Sequence, residues 1–167
     1  MAIDINNRTE VENQLWDEIE DAHLGMLGVM KGGPRHFQPM TPYCERDQGR
    51  LWFFVSRKAA IASSLGDGKD AMFVVQARSG KFQACVAGDL VEDHDRARID
   101  RFWNSAASAY FPRGKDDPDL TMLCFDCTDA EIWLSEAGPL KFAWEVAKAN
   151  LTHTRPDIGE RASVNLS

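Results

Sequence analysis

The residues best suited to chemistry lie where a predicted strand runs into a predicted helix, at Ser56-Arg57-Lys58. Free backbone N–H groups at the start of a helix favour an anion, and the helix dipole adds to that preference. The Ser56 hydroxyl and the two cations can add charge-assisted hydrogen bonds to a phosphate. The alternative is that Ser56 only caps the helix and both cations are solvated. For an isolated motif this alternative is the more common one.

The distribution of charge is compatible with an anion site in the middle of the chain. The segment from Lys31 to Lys81 holds nine Lys or Arg residues against four Asp or Glu, a net charge of +5, whereas the whole chain carries −7. Such a segment can bind a small anion, or it can reflect an uneven scatter of solvated charges, and the residues alone leave both readings open. The overall negative charge argues against nucleic acid and anionic membranes as partners.

A second candidate segment is Gln38-Pro39-Met40, on a strand that precedes this junction. A proline interrupts the hydrogen-bonded ladder, so backbone groups near it are free to face a ligand, although a proline at a strand edge is common. His36, nearby, fits a strand surface better than a catalytic role. We find no nucleophile elbow, P-loop or GxGxxG motif, so no catalytic residue is assigned.

Cys124-x-x-Cys127 resembles a redox or zinc motif, but its context argues against both. The pair lies in a strand pattern, where an offset of three places two side chains on opposite faces. No second cysteine pair or nearby histidine completes four ligands. We therefore predict structural cysteines and no metal site.

The elements that would position these residues are mostly strands. An amphipathic helix is predicted over Thr9–Asp21, where Thr9 and Glu12 fit a capping box. Strands are predicted over 23–30, 35–41, 50–56, 71–77, 82–91, 120–134, with a bulge near Thr128-Asp129, and 140–148. Two further helices are predicted over 57–65 and 93–108.

These elements predict a mainly β fold: a Greek-key split barrel of six to seven antiparallel strands with an N-terminal helix and two inserted helices. Without βαβ alternation, a parallel nucleotide-binding fold is disfavoured. The 167 residues suit one domain, assigned to residues 1–150, with a polar tail over 151–167 that is either disordered or laid on a partner. No transmembrane run or signal peptide is found, and four unevenly spaced cysteines suit a reducing cytoplasm.

Together the segments resemble the general stress protein branch of the pyridoxamine 5′-phosphate oxidase-like, FMN-binding split-barrel superfamily. The most specific block runs from Phe102-Trp103 through Tyr110-Phe111-Pro112-Arg113-Gly114 and Asp116-Asp117-Pro118-Asp119-Leu120 to Ala130-Glu131-Ile132-Trp133. Gln38-Pro39-Met40, Leu51 to Ser56 and Gly88 with Val91-Glu92-Asp93 match earlier family segments. The resemblance covers about residues 10 to 150.

The resemblance implies a cytoplasmic homodimer that binds FMN, or FAD, in a cleft between its subunits. By position, Gln38, Pro39 and Met40 would line the flavin ring. Phe54, Val55, Ser56 and Lys58 would lie near the ribityl chain and phosphate, with Arg35 as further charge. Gln83 and Trp133 lie on strands that reach the flavin in relatives.

This chain departs from the family pattern at the phosphate site. Relatives usually carry Arg where Gln38 stands, Thr-Ser where Val55-Ser56 stands, and Ser and Lys where Ala59 and Ile61 stand. Lys58 and Arg35 can replace the charge from other positions. A charge-assisted hydrogen bond contributes about 1.5–3 kcal/mol, so two uncompensated losses would weaken FMN by about a hundredfold or more.

Three functions follow in order of preference. The first is a flavin-binding stress-related protein that acts as an oxidoreductase or flavin reductase, with the hydride chemistry supplied by the cofactor. The second is a flavin-free split-barrel module that binds another ligand or a protein. The third is pyridoxamine 5′-phosphate oxidation, which ranks last because the segment Thr152–Ser167 has only Arg155 and Arg161 as basic residues.

Overall fold

The computed structural model describes residues 7–135, 139–155, 157 and 159–167, and the side chains of 139–142 are not described. Its helices are α1 (Arg8–Ala22), α2 (Ala60–Ser63), α3 (Arg96–Phe102), α4 (Ser105–Tyr110) and α5 (Pro139–Thr152). Its strands are β1 (Gly25–Val29), β2 (Gln38–Met40), β3 (Tyr43–Glu45), β4 (Arg50–Ser56), β5 (Lys69–Gln76), β6 (Phe82–Glu92), β7 (Leu120–Leu134) and β8 (Glu160–Asn165).

All eight strands belong to one antiparallel sheet whose main order is β2-β1-β5-β6-β7-β4-β3. The two edge strands, β2 and β3, are joined through only Thr41 and Pro42. Three residue steps span at most about 11 Å, whereas the outer strands of a flat seven-stranded sheet would lie about 29 Å apart. The sheet must therefore curl, and the predicted split-barrel fold is confirmed.

The core has two parts, one inside the curled sheet and one on its outer side. The inner cluster includes Phe53, Phe73 and Phe125, together with Leu15 and Ile19 from the buried face of α1. The outer cluster packs α3 and the chain around Phe111 against β4 and β7. Alternate residues of β7 serve the two clusters, because successive side chains of a strand point to opposite faces.

The bulge predicted near Thr128-Asp129 is confirmed. The register of β6 and β7 shifts between Ala87, opposite Asp129, and Gly88, opposite Cys127. Thr128 is the extra residue, and its hydroxyl donates to the carbonyl of Ala87 at 3.1 Å. A Cβ at Gly88 would lie 2.3 Å from the carbonyl oxygen of Asp126, so the close approach at the bulge requires glycine.

Strand β4 over residues 50–56 and helix α1 are close to prediction, but several boundaries are not. The capping box is wrong because Asn7, not Thr9, is the N-cap of α1 and accepts from the N–H of Glu10. The helix predicted over 93–108 is two helices, because the Asn104 side chain accepts from the N–H groups of Ala106 and Ala107 and starts α4 anew. The strand predicted over 35–41 is confined to β2, and β3 was not predicted.

The strand predicted over 140–148 is wrong, since this segment lies in α5. Its alternation of apolar and polar residues suggests a strand, but Pro139 suits the first turn of a helix and three alanines follow at 143, 147 and 149. A period-two pattern of nine residues is too short to outweigh those preferences.

The polar tail predicted over 151–167 is also wrong for its final part. Glu160–Asn165 forms β8, which pairs with β7 from Asp129 to Leu134. Ala162 and Val164 are buried in the inner cluster. Alternation of small apolar with polar residues in ERASVN is the signal of a half-buried strand, which the polarity of the surrounding residues obscures.

Candidate functional site

A cleft of about 540 Å³ lies beside β4, between the β2–β3 corner and α4. Five of the predicted site residues line it: Pro39, Met40, Phe54, Val55 and Ser56. The other lining residues come from the residue before β1, the edge-strand corner and α4 with the residue after it: Leu24, Thr41, Tyr43, Ala106, Ala107, Tyr110 and Phe111. The volume is within the range of about 300–1,000 Å³ usual for small-molecule and cofactor sites.

The walls of the cleft are largely aromatic and apolar. Tyr43 meets Phe54 edge to face with ring centroids 5.3 Å apart, and Phe54 meets Trp103 in the same way at 5.7 Å. Tyr110 is 83% exposed, so a large aromatic surface is open at the mouth. Such walls suit a flat aromatic ligand better than a small polar one.

The α4 wall is fixed to the sheet by Asn104. Its side-chain amide donates to the phenolic oxygen of Tyr43 at 2.8 Å, while its carbonyl oxygen accepts from the backbone N–H groups of Ala106 and Ala107. One side chain thus starts α4 and ties it to β3.

A buried carboxylate supports the same wall from behind. Glu45, only 4% exposed, accepts from the indole N–H of Trp52 at 2.8 Å and from Arg98 and Arg101 at 3.2 Å each. The guanidinium of Arg98 also lies 5.5 Å from the centroid of the Trp52 ring. Since both arginines lie on α3, this cluster sets the position of α3 against β3 and β4 and hence of the α4 wall.

Ser56 occupies the corner of the cleft, but the junction differs from prediction. Its hydroxyl oxygen accepts from the N–H of Lys58 at 3.2 Å, and its carbonyl accepts from the N–H of Ala59 at 2.9 Å. This turn delays the helix, whose N-cap is Ala59 and whose length is four residues. The predicted helix over 57–65, with Ser56 at its start, is therefore wrong. The Ser56 O–H proton is still available to donate to a ligand.

The two cations that follow Ser56 pair with carboxylates. The ammonium of Lys58, whose side chain is 78% exposed, lies 3.0 Å from Asp119. The guanidinium of Arg57 lies 3.7 Å from Glu92. Both ion pairs are exposed, so each cation can exchange its carboxylate for a bound anion at a small cost in free energy. Neither cation lines the cleft itself.

The other predicted site residues lie outside the cleft of a single chain. Arg35 is exposed in the segment before β2, and Gln38 is the first residue of β2, half-buried and paired with Leu27. Gln83 and Trp133 face each other across β6 and β7. The Trp133 ring is 43% exposed, with the guanidinium of Arg161 6.0 Å from its centroid. Their roles remain predictions.

The sequence did not single out the α4 side of the cleft. Tyr110 and Phe111 entered only as part of the block that carries the family resemblance, and Tyr43 and Asn104 were assigned to no site. The sequence did contain one signal for this wall, the polar pair Asn104-Ser105 inside the predicted helix. Asparagine favours the N-cap position, so the pair indicates that a new helix starts there. That the cap would bring α4 to β3 depends on tertiary packing.

All four cysteines are free thiols, of which Cys124 and Cys127 are buried and Cys44 and Cys85 are half-buried. Burial raises the pKa of Cys44 to about 12 and that of Cys124 to about 11, and it raises the pKa of Cys127 further. Cys124 and Cys127 belong to different core clusters, which confirms that they lie on opposite faces of β7. Within the described residues, no group of three or more His, Cys, Asp or Glu side chains is arranged to hold a metal ion. No helix in that part of the chain is long and apolar enough to span a membrane.

The curled antiparallel sheet with a cleft on the outside of β4 defines a split-barrel protein. A family model described as "Pyridoxamine 5′-phosphate oxidase like" matches residues 10–157. The chain belongs to this family, and within it to the general stress protein branch, as the sequence resemblance predicted.

Solved structures agree with this membership. A protein from Jannaschia sp. CCS1 described as general stress protein 26 is 35% identical, with 94% of this chain and 99% of that chain covered and a TM-score of 0.74. The general stress FMN/FAD binding protein of Xanthomonas citri is 34% identical, with coverages of 78% and 92% and a TM-score of 0.72. A general stress family protein of Xanthomonas campestris is 33% identical, with coverages of 83% and 93% and a TM-score of 0.73. No curated protein matches the chain.

Proposed function

We propose that the chain binds FMN or FAD in the cleft beside β4 and works as a flavin-dependent oxidoreductase or flavin reductase. The observation that carries the proposal is that five predicted flavin-binding residues, from two separate segments of the sequence, line one cleft. A relative that is 34% identical is named an FMN/FAD binding protein, which supports the same ligand.

The residues present fit the cofactor. The apolar surface from Pro39, Met40, Phe54 and Tyr110 suits an isoalloxazine ring, which needs flat contact and the exclusion of water. The Ser56 hydroxyl donates to the phosphate, and Lys58 can turn from Asp119 to the same group because its side chain is mostly exposed. A bound flavin supplies hydride or electron transfer, and the chain supplies orientation and electrostatics.

We further propose that two copies pair through the outer face of the sheet. Met26 on β1 and Val74 on β5 lie opposite each other and are 40% and 37% exposed. Adjacent exposed apolar side chains of this kind mark a surface that another protein chain can cover. The patch is continuous with the cleft, because Leu24 lines the cleft and Pro39 lies opposite Met26. A second copy seated there would cover the open side of the cleft.

Pairing is tested by the mass in solution. Light scattering at micromolar concentration should give twice the 18.7 kDa of the chain. The variant Val74→Lys should give a monomer with weaker flavin binding, whereas Arg78→Gln, an exposed change just after β5, should alter neither. A monomeric wild type contradicts the proposed pairing.

Flavin binding is tested by titration of FMN against the wild type, Ser56→Ala and the double variant Ser56→Ala/Lys58→Ala. Loss of one charge-assisted hydrogen bond should weaken FMN by about tenfold, and the double variant should lose more. Ser63→Ala, an exposed serine on α2, serves as the control and should bind as the wild type does.

A flavin-free module is the second candidate, and one observation favours it. Both cations at the junction, Arg57 and Lys58, are paired with carboxylates of the chain. Under this alternative, neither FMN nor FAD binds, and the Ser56 and Lys58 variants are indistinguishable from the wild type in every ligand titration.

A further inference from the structure

A second concavity, of about 330 Å³, lies beside the first at the end of β4. Arg57, His94, Arg96 and Lys115 line it together with Asp116, Asp117 and Pro118. The linings of the two concavities include consecutive residues, since Ser56 lines the first and Arg57 lines the second. We propose that the second concavity binds the adenosine monophosphate half of FAD, so that this chain prefers FAD to FMN. This inference rests on flavin binding in the first cleft.

Ser56 and Arg57 are consecutive, so their Cα atoms lie about 3.8 Å apart, and one diphosphate is long enough to contact both residues. A flavin phosphate at Ser56 therefore has its neighbouring phosphate within reach of Arg57. The remaining ribose and purine then fall in the second concavity.

Most of the charged side chains that line the second concavity form short ion pairs with other residues of the chain. Arg96 is bound to Asp116 at 2.6 Å, and Asp117 accepts from Arg113 at 3.2 Å, so both lining carboxylates have cationic partners. Lys115 is held by Asp100 at 2.9 Å.

Among the cations that line the second concavity, Arg57 has the longest ion pair. Its guanidinium donates no hydrogen bond to any described residue, and its ion pair with Glu92 is 3.7 Å long. Because this pair is long and exposed, the guanidinium can exchange Glu92 for a phosphate, to which it can donate two hydrogen bonds in a bidentate manner.

The rest of the concavity suits the neutral parts of a nucleotide. His94 is exposed and forms no hydrogen bond or ion pair among the described residues, so its ring is free to stack. With Pro118 it provides flat and apolar surface for a purine, and Asp116 offers carboxylate oxygens to ribose hydroxyls. One weakly paired cation, carboxylates and flat surface together favour a nucleotide over an inorganic anion.

The test compares the affinities for FMN, FAD and ADP. The wild type should bind FAD at least about tenfold more tightly than FMN, since one guanidinium–phosphate contact is added. It should also bind ADP alone. Arg57→Gln and His94→Ala should each reduce the FAD preference and weaken ADP, while the affinity for FMN stays within about twofold of the wild type. The control Arg78→Gln should leave all three affinities unchanged.

The outcomes separate this inference from the proposed function. Equal affinities of the wild type for FMN and FAD overturn the inference and leave flavin binding intact. Equal losses of FMN and FAD in Arg57→Gln also overturn it, because the residue then serves the first cleft. Binding of ADP that Arg57→Gln abolishes, with no binding of either flavin, contradicts the proposed function and retains a nucleotide site at Arg57.

Discussion

The side-chain amide of Asn104 donates to the hydroxyl of Tyr43 at 2.8 Å, and so joins the start of α4 to the edge strand β3. The two residues are far apart in sequence: Tyr43 lines the cleft, and Asn104 caps α4, which forms another wall. Their hydrogen bond therefore sets the width of the cleft as well as the stability of α4.

Asn104→Ala should lower the free energy of unfolding by about 1 kcal/mol, because it removes an N-cap, and should also weaken flavin binding. Tyr43→Phe removes only the tie between the walls, so its effect on flavin affinity should exceed its effect on stability. Chemical denaturation and flavin titration of both variants provide the measurements. A Tyr43→Phe variant that binds flavin as the wild type does would show that the tie does not control the cleft.

Glu45→Gln should be more destabilising than Arg46→Gln, although the two positions are adjacent. Glu45 is buried and accepts hydrogen bonds from Trp52, Arg98 and Arg101, and a hydrogen bond to a charged group contributes about 1.5–3 kcal/mol. Arg46 pairs with Asp17 and Glu20 at the surface, where such pairs contribute about 1 kcal/mol or less. Urea denaturation midpoints of the two variants measure the difference, and equal midpoints would contradict the assigned role of Glu45.

Cys44 should make stability fall at alkaline pH. Burial raises the pKa of its thiol in the folded chain to about 12, whereas an unfolded cysteine ionises near about 8.5. The folded state therefore retains a proton that the unfolded state loses, and the contribution of Cys44 is full below about pH 8 and declines as the pH rises toward 12.

The measurement is the urea midpoint of the wild type and Cys44→Ala between neutral pH and about pH 10. The advantage of the wild type over the variant should shrink as the pH rises. A constant difference would mean that the Cys44 thiol ionises equally in both states.

Val164→Ala should destabilise the chain by about 2 kcal/mol, because Val164 is 2% exposed within the inner cluster and the change removes buried methyl groups. Ser167→Ala, at an exposed position beyond β8, is the control. Thermal unfolding measures both. Equal melting temperatures would show that β8 does not contribute to the core.

The sequence predicted the barrel because most strands carry a clear period of two. Residues 50–56 and 120–134 were placed at their observed bounds, and the bulge was located within one residue. The failures have physical causes. Short edge strands such as β3 have too few residues to show a period, and α5 combines an alternating pattern with residues of high helix propensity.

The candidate site was predictable where it lies on strands. Pro39, Met40 and residues 54–56 line the cleft because β2 and β4 carry them to it. The α4 wall was not predictable, since it depends on the Asn104 cap and on the buried Glu45 cluster, which join segments distant in sequence. The helix expected to start at Ser56 does not form there. The side chain and the carbonyl of Ser56 accept hydrogen bonds from the N–H groups of Lys58 and Ala59, and these bonds form a turn instead.

Flavin binding in the cleft beside β4 is decided by the visible absorbance spectrum of the purified protein, together with mass spectrometry of whatever denaturation releases. We expect either a yellow protein that releases one FMN or FAD per chain, or a colourless protein that shifts the absorbance spectrum of added flavin. A protein that is colourless and leaves the spectra of both added FMN and added FAD unchanged would contradict it.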